Sequence, residues 1–224
     1  MADLRALVIG ETTFGFHDFD DARPHLRAAL ERANVDPTLT TDRDELRDLA
    51  GYDVVVDYLT DSDLTDAQRD GLLTFVGDGG GYAGVHCASD LTSVAGPDGE
   101  LEHVESPFPG LRAMLGGHFL GHPEQQDIDV DVTDTGHPIT AGVPDFTVYD
   151  EPYDLDVDDD VTVLARMDHP ESGDVPVAWA KRYGRGRVTY CSLGHTEDAL
   201  TDDVVAALVG RGARWAAGAL ADPR

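Results

Sequence analysis

The stretch 79–90, GGGYAGVHCASD, decides the fold. A glycine run opens it, a short apolar segment follows, and the apolar run breaks off at His86 and Cys87. Just upstream, TDAQ at 65–68 has the form of a helical capping box, with Thr65 as N-cap and Gln68 three residues on. A helix through Leu72, Phe75 and Val76 then stops at Gly79–Gly81. The span 65–86 therefore reads helix, turn, buried strand, and the same alternation recurs towards the N-terminus. RALVIG (5–10) and YDVVVDYL (52–59) are apolar and β-branched enough for strands buried on both faces, with DPTLTT (36–41) as a shorter strand between them. Ala22, Leu26, Ala29, Leu30 and Ala33 follow helical spacing, with Asp20 or Asp21 as the expected cap. Strands alternating with helices over short links predict an α/β fold built on a doubly wound, mostly parallel sheet.

Past the glycine run the pattern loosens. Residues 88–126 are rich in Gly, Pro and His and read as loop, with one short helix at 109–115; a loop of that length in a compact domain is usually functional. DIDVDVTD (127–134) alternates as a half-exposed strand does. VTVLARM (161–167), PVAWAKRY (176–183) and GRVTYCSLG (186–194) are further strands, and YGRG turns the last two into a C-terminal β-hairpin. The final helix carries Val204, Val205, Leu208 and Trp215 on one face. No repeat, linker or low-complexity segment divides the chain, so 1–224 is expected to form one domain.

Charge narrows the function classes. The chain carries 44 acidic against 16 basic residues, a net charge of −28, and Lys181 is its one lysine. Such a surface repels nucleic acid and anionic membranes. Because the acids are spread along the whole length, they read as the solvated surface of a protein from a halophile, where concentrated salt screens self-repulsion. No apolar run is long enough to span a membrane, and MADLRALVIG lacks the form of a signal peptide, so a cytoplasmic location is expected. Cys87 and Cys191 form no CxxC and read as small buried hydrophobes.

The nine histidines carry the chemistry. In open α/β sheets ligands bind where strands hand over to loops at their carboxyl ends. His17 and Asp18 follow the first strand, Asp57 ends the third, His86 ends the fourth and His195 follows the last, so topology would bring them to one edge. His118 and His122 form an H-x3-H pair, which on a helix would offer two imidazoles to one metal. Gly116, Gly117, Gly121 and Pro123 argue against that helix, and a loop lining a sugar or metal pocket is the alternative. His25 and His103 read as surface residues and His137 as structural, while His169 shows no evident role. The glycines of GDGGGYAGVH precede a strand instead of opening a helix after one, so no nucleotide cofactor is expected.

Taken together, FHDFDDARPHL, the 79–90 stretch, LGGHFLGHPEQQ, YDEPY and SLGHTEDAL resemble the ThuA-like, trehalose-utilisation family, whose fold is similar to class I glutamine amidotransferases. In amidotransferases a nucleophilic Cys ends the fourth strand and a His follows a late one. By the pattern of GGGYAGVHC that first position falls on His86, and the second falls on His195, so glutaminase chemistry should be absent. The resemblance implies a polar pocket of His17, Asp18, His86, His118, His122, Glu151 and His195, with Tyr153 beside Glu151 in the acidic–aromatic YDEPY. His86 and His195 are the expected catalytic residues. His17, Asp18, Asp57, Glu151 and Tyr153 are expected to bind substrate, and His118 and His122 to hold one divalent metal, zinc or manganese.

Two functions from different classes follow. One is an enzyme on disaccharides or 3-keto-glycosides: a keto group acidifies the neighbouring C–H, a near-neutral histidine can take that proton, and a metal or protonated His can stabilise the enolate. The reaction would be that of a lyase, isomerase or hydrolase, with a separate sugar dehydrogenase supplying the keto-sugar. The other is a non-catalytic sugar-binding subunit with the same pocket. A third reading makes Cys87 a nucleophile. A small carbohydrate is the expected partner, with no nucleic acid or membrane, and a homo-oligomer is consistent with the family.

Overall fold

The structure is a computed structural model that describes residues 4–222; the ends of the expected 1–224 domain, and the first three residues of the N-terminal stretch weighed for a signal peptide, lie outside the described residues. At its centre are five parallel strands: β1 (Leu4–Gly10), β2 (Val35–Thr40), β3 (Val54–Tyr58), β4 (Gly81–Val85) and, near the C-terminus, Gly186–Cys191. Every residue of β3 and β4 is buried, as expected for strands covered on both faces. Alternate residues serve opposite faces. Ala6, Val8, Val54 and Val56 pack with α1 (Phe19–Arg32), through Leu26 and Leu30. Leu7, Ile9 and Val55 pack with α2 (Asp66–Gly77), through Leu72 and Val76.

Between β4 and the C-terminal strand the chain builds the rest of the molecule. A small hairpin, β5 (Ser93–Ala95) with β6 (Leu101–His103), precedes α3 (Pro109–Leu115). Then come β7 (Gly117–Gly121), β8 (Gln126–Val132), β9 (Phe146–Asp150), β10 (Asp154–Val157), β11 (Thr162–His169) and β12 (Gly173–Tyr183), and Gly186–Cys191 is β13. The large sheet has nine strands in the order β2-β1-β3-β4-β13-β12-β11-β8-β9, and β12, β11, β8 and β9 extend the parallel half antiparallel. β7 and β10 pair as a separate ribbon. After β13 come α4 (Glu197–Thr201) and α5 (Asp203–Ala216). α5 lies close against α1: a Cβ on Gly210 would fall 2.6 Å from the carbonyl oxygen of Ala29.

Local signals explain most of these elements. Thr65 and Gln68 form the expected capping box on α2. α1 starts earlier than expected: Asp18, not Asp20 or Asp21, caps it by accepting from the backbone N–H of Asp20, and the other two acids fill its first turn. The expected loop 88–126 contains β5, β6, α3 and β7. α3 begins with Pro109 at its first turn and ends at Gly116 in the left-handed region. Among the described residues no helix is long and apolar enough to cross a membrane.

Candidate functional site

The strand order reverses between β1 and β3, and the loops beyond the carboxyl ends of β1, β3, β4 and β13 meet there. Each supplies one part of a histidine cluster. His17 ends the 3-10 turn Gly15–His17 after β1; Thr60 follows β3; His86 is the first residue after β4; His195 follows β13. Glu151 comes from the antiparallel half, directly after β9.

His86 is wholly buried and has φ +47°, a left-handed conformation uncommon outside glycine. Its Nδ1 lies 2.7 Å from the carbonyl oxygen of Ser192, an acceptor, so Nδ1 carries a proton and donates. In the neutral ring Nε2 is then a lone pair, and it accepts from the Tyr153 hydroxyl at 2.7 Å. Burial holds the Tyr153 phenol well above its ordinary range, so it stays a donor. The carbonyl of His86 accepts from Tyr190, whose hydroxyl also meets Ser89 at 2.6 Å. Turn, ring and carbonyl are each tied down.

His17 Nε2 lies 3.0 Å from His86 Nε2 and 3.0 Å from His195 Nδ1, while its Nδ1 meets the Thr60 hydroxyl at 2.8 Å. Glu151 Oε2 lies 3.2 Å from His195 Nδ1 and 3.5 Å from His86 Nε2. Burial, and then the neighbouring imidazoles of His86 and His195, push His17 down to about 2. His195 is lowered by burial and by His86, against the opposing pull of Glu151 and Asp150. Burial would raise Glu151, but the facing imidazoles of His86, His195 and His122 outweigh that and hold its carboxyl low. The cluster therefore sets one carboxylate against three converging ring nitrogens.

That donor set suits a metal ion. One ligand atom from each of His17, His86, Glu151 and His195 lies within 4.8 Å of all the others. A tetrahedral ion with bonds of ~2.0–2.1 Å sets its ligands about 3.3 Å apart. The contacts of 3.0, 3.0, 3.2 and 3.5 Å bracket that spacing.

The remaining expected residues divide. Asp18 caps α1 and lines, with His17 and His195, a cleft of about 390 Å³. Tyr153 is inside the cluster. Asp57 is not: it is buried, accepts from the Tyr82 hydroxyl at 2.7 Å and the Leu59 N–H at 2.9 Å, and burial raises its carboxyl to about 6. Among the described residues, neither His118 nor His122 belongs to the four-residue group that could hold a metal. They lie on and just past a strand, where four residues span roughly 13 Å instead of one helical turn. His118 Nδ1 accepts from Arg112 at 2.9 Å. His122 donates to the Pro123 carbonyl and reaches Glu151 Oε2 at 3.5 Å, at the rim of the cluster. Cys87 is fully buried and burial pushes its thiol well up, which removes the thiolate a nucleophile needs.

Three supporting residues emerge only here. Thr60 orients His17. Glu11 accepts the backbone N–H groups of Thr60 and Asp61 and pairs with Arg43 at 2.8 Å, which fixes the loop carrying Thr60. Asp150, wholly buried, accepts from the N–H groups of Gly194, His195 and Thr196 and so sets the His195 turn. Its adjacency to Glu151 in YDEPY was the one available sequence signal.

Comparison with known proteins follows from this geometry. The ThuA family, described as trehalose utilisation, matches residues 5–216. Among curated proteins none matches the chain. A ThuA-like protein from Parabacteroides merdae has a similar structure at 21% identity and TM-score 0.73, over 96% of this chain and 90% of that one. One from Bacteroides uniformis is 22% identical with TM-score 0.75, over 96% and 91%. A cytoplasmic protein of Salmonella typhimurium LT2 is 17% identical with TM-score 0.68, over 95% and 99%. At these identities the structures share the fold.

Proposed function

The chain belongs to the ThuA family of trehalose utilisation, and on that premise we propose that it acts on a disaccharide or a 3-keto-glycoside at the cluster of His17, His86, His195 and Glu151, with a divalent metal held there. The family supports the carbohydrate role. The observation that carries the site is the convergence of three imidazole nitrogens and one carboxylate oxygen within 4.8 Å of one another. Three imidazoles with one carboxylate suit zinc, with manganese as the second choice.

His17 Nε2, His86 Nε2, His195 Nδ1 and Glu151 Oε2 would hold the ion. When bound, it would polarise a carbonyl oxygen of the ligand and stabilise the enolate that forms when a neighbouring proton leaves. The chain's own residues do the rest. His86 is a fixed post, held through Nδ1 by the Ser192 carbonyl; the ion would take the Nε2 lone pair in place of the Tyr153 hydroxyl. His195 is the cluster member with one ring nitrogen engaged and the other, Nε2, without a partner among the described residues and beside the cleft, which places it to exchange a proton with the ligand. The 3.2 Å contact to Glu151 favours a metal-free variant of the same reading: His195 Nδ1 donates to the carboxylate and Nε2 is the base. The reaction would be an elimination, isomerisation or hydrolysis of a keto-sugar, which a separate sugar dehydrogenase would supply.

Elemental mass spectrometry, on protein purified in high salt without a nickel column, tests the site. About one equivalent of zinc or manganese is expected, lost in Glu151→Gln/His195→Ala and kept in His118→Ala/His122→Ala. No metal and no uptake on titration would leave the metal-free pair. Turnover of 3-keto-trehalose tests the reaction; binding without product over hours would make the protein a sugar-binding subunit.

A further inference from the structure

The cluster can be approached from two sides. On one, His122 stacks on Tyr153 at 5.7 Å between ring centres and reaches Glu151 at 3.5 Å. On the other lies the cleft of about 390 Å³ between the start of α1 and α4, to which His17 and His195 both contribute. At its mouth stands Phe16. Its ring is backed by the buried Phe14 at 5.4 Å and meets the edge of His17 at 4.9 Å, yet 49% of the residue is exposed. A flat apolar ring fixed from behind and bare in front, beside the reacting groups, is a platform for the C–H face of a sugar ring.

The same cleft carries Asp18, Asp21 and Glu197, and among the described residues none of the three is ion-paired. Asp18 caps α1 and Asp21 sits in its first turn, so they cancel the positive helix end that would otherwise attract an anion. The other ionisable residues lining the cleft are His17, His25, Tyr58 and His195. A phosphate or carboxylate entering here meets like charge.

We propose that this cleft, with Phe16 as its stacking platform, is the ligand entrance to the histidine cluster, and that Asp21 and Glu197 make it select neutral sugars against their phosphorylated or carboxylated forms. The proposal rests on the carbohydrate reading and goes further by naming the side of approach and the charge rule.

Calorimetric titration at fixed ionic strength with trehalose, 3-keto-trehalose and trehalose 6-phosphate tests it. The wild-type protein should bind at least one neutral probe, and the phosphate at least about tenfold more weakly. Phe16→Ala, a change at a half-exposed position, should weaken the neutral probe by about tenfold while circular dichroism stays unchanged. Asp21→Asn/Glu197→Gln should narrow the gap between phosphorylated and neutral probes by roughly threefold or more. Equal wild-type affinity for neutral and phosphorylated probes overturns the charge rule. Neutral binding that survives Phe16→Ala and is lost in His122→Ala overturns the entrance and leaves the carbohydrate reading standing. Failure of every probe to bind at millimolar concentration overturns both.

Discussion

At the scale of single residues the informative group is Asp57. Topology put it at the end of β3 with the site residues, but its carboxyl turns into the core and meets Tyr82 and Leu59 instead. Burial raises it to about 6, above the ~3.9 of an unfolded aspartate. The native state therefore holds a proton that the unfolded chain releases between about pH 4 and pH 6. The stability this confers is complete below about pH 4 and is lost as pH rises through 6. At neutral pH the charged, buried Asp57 costs on the order of 2–3 kcal/mol relative to its protonated form. Asp57→Asn should thus stabilise the protein at pH 7.5 by up to that order. The gain should shrink steadily towards pH 4.5, as read from urea unfolding at constant salt. A gain of the same size at both pH values would show that Asp57 does not titrate in this window.

At the scale of elements, the site depends on how β9 ends. Asp150 is wholly buried at the last position of β9 and accepts three backbone N–H groups from residues 194–196, which hold the turn carrying His195. Charge-assisted bonds of this kind are worth more than neutral ones. Asp150→Asn keeps one oxygen acceptor and places an amide donor against other donors. It should cost about 2–3 kcal/mol of stability and reduce metal retention, because His195 loses its register. Unchanged metal content in a folded, destabilised variant would separate the turn from the site. On α2, Thr65→Ala opens the capping box and should cost about 1 kcal/mol by denaturant unfolding, with no effect on metal or ligand.

These two elements also show what the sequence could display. The capping box is a local pattern, four residues reading one helix start, and it was legible. So were the buried strands β1, β3 and β4, and with them the edge where His17, His86 and His195 meet. β9 and β10 were not, because FTVYD and DLDV are short and mix charge with apolar residues. The consequence reached the site: Glu151 entered only through the family pattern, and Asp150 not at all. His118 and His122 misled because H-x3-H has meaning only on a helix. The ribbon that replaces the helix depends on pairing with β10, a contact fixed nearly 40 residues away in the chain.

At the scale of the whole molecule the dominant fact is the net charge of −28. β8 shows in miniature how it is carried. Ile128 and Val130 are buried, while Asp127, Asp129 and Asp131 share the exposed face at successive spacings of about 7 Å. Across the ladder Asp127 and Asp129 stand opposite Tyr149 and Thr147, and only Asp131 faces a cation, Arg166. A spacing of about 7 Å lies inside the Debye length of ~10 Å at 0.1 M salt and outside the ~3 Å reached near 1 M. Raising KCl from 0.1 to 1 M should therefore lift the urea midpoint substantially, with most of the gain complete by about 1 M. Asp127→Asn should raise the midpoint at 0.1 M and flatten its rise with salt, because a member of the repelling row with no facing cation is gone. A generic salting-out effect would instead climb steadily beyond 1 M and leave that variant with the wild-type slope. Since metal and ligand both bind the folded state, the titrations of the histidine cluster belong on the salt plateau, where the native fraction no longer changes with ionic strength.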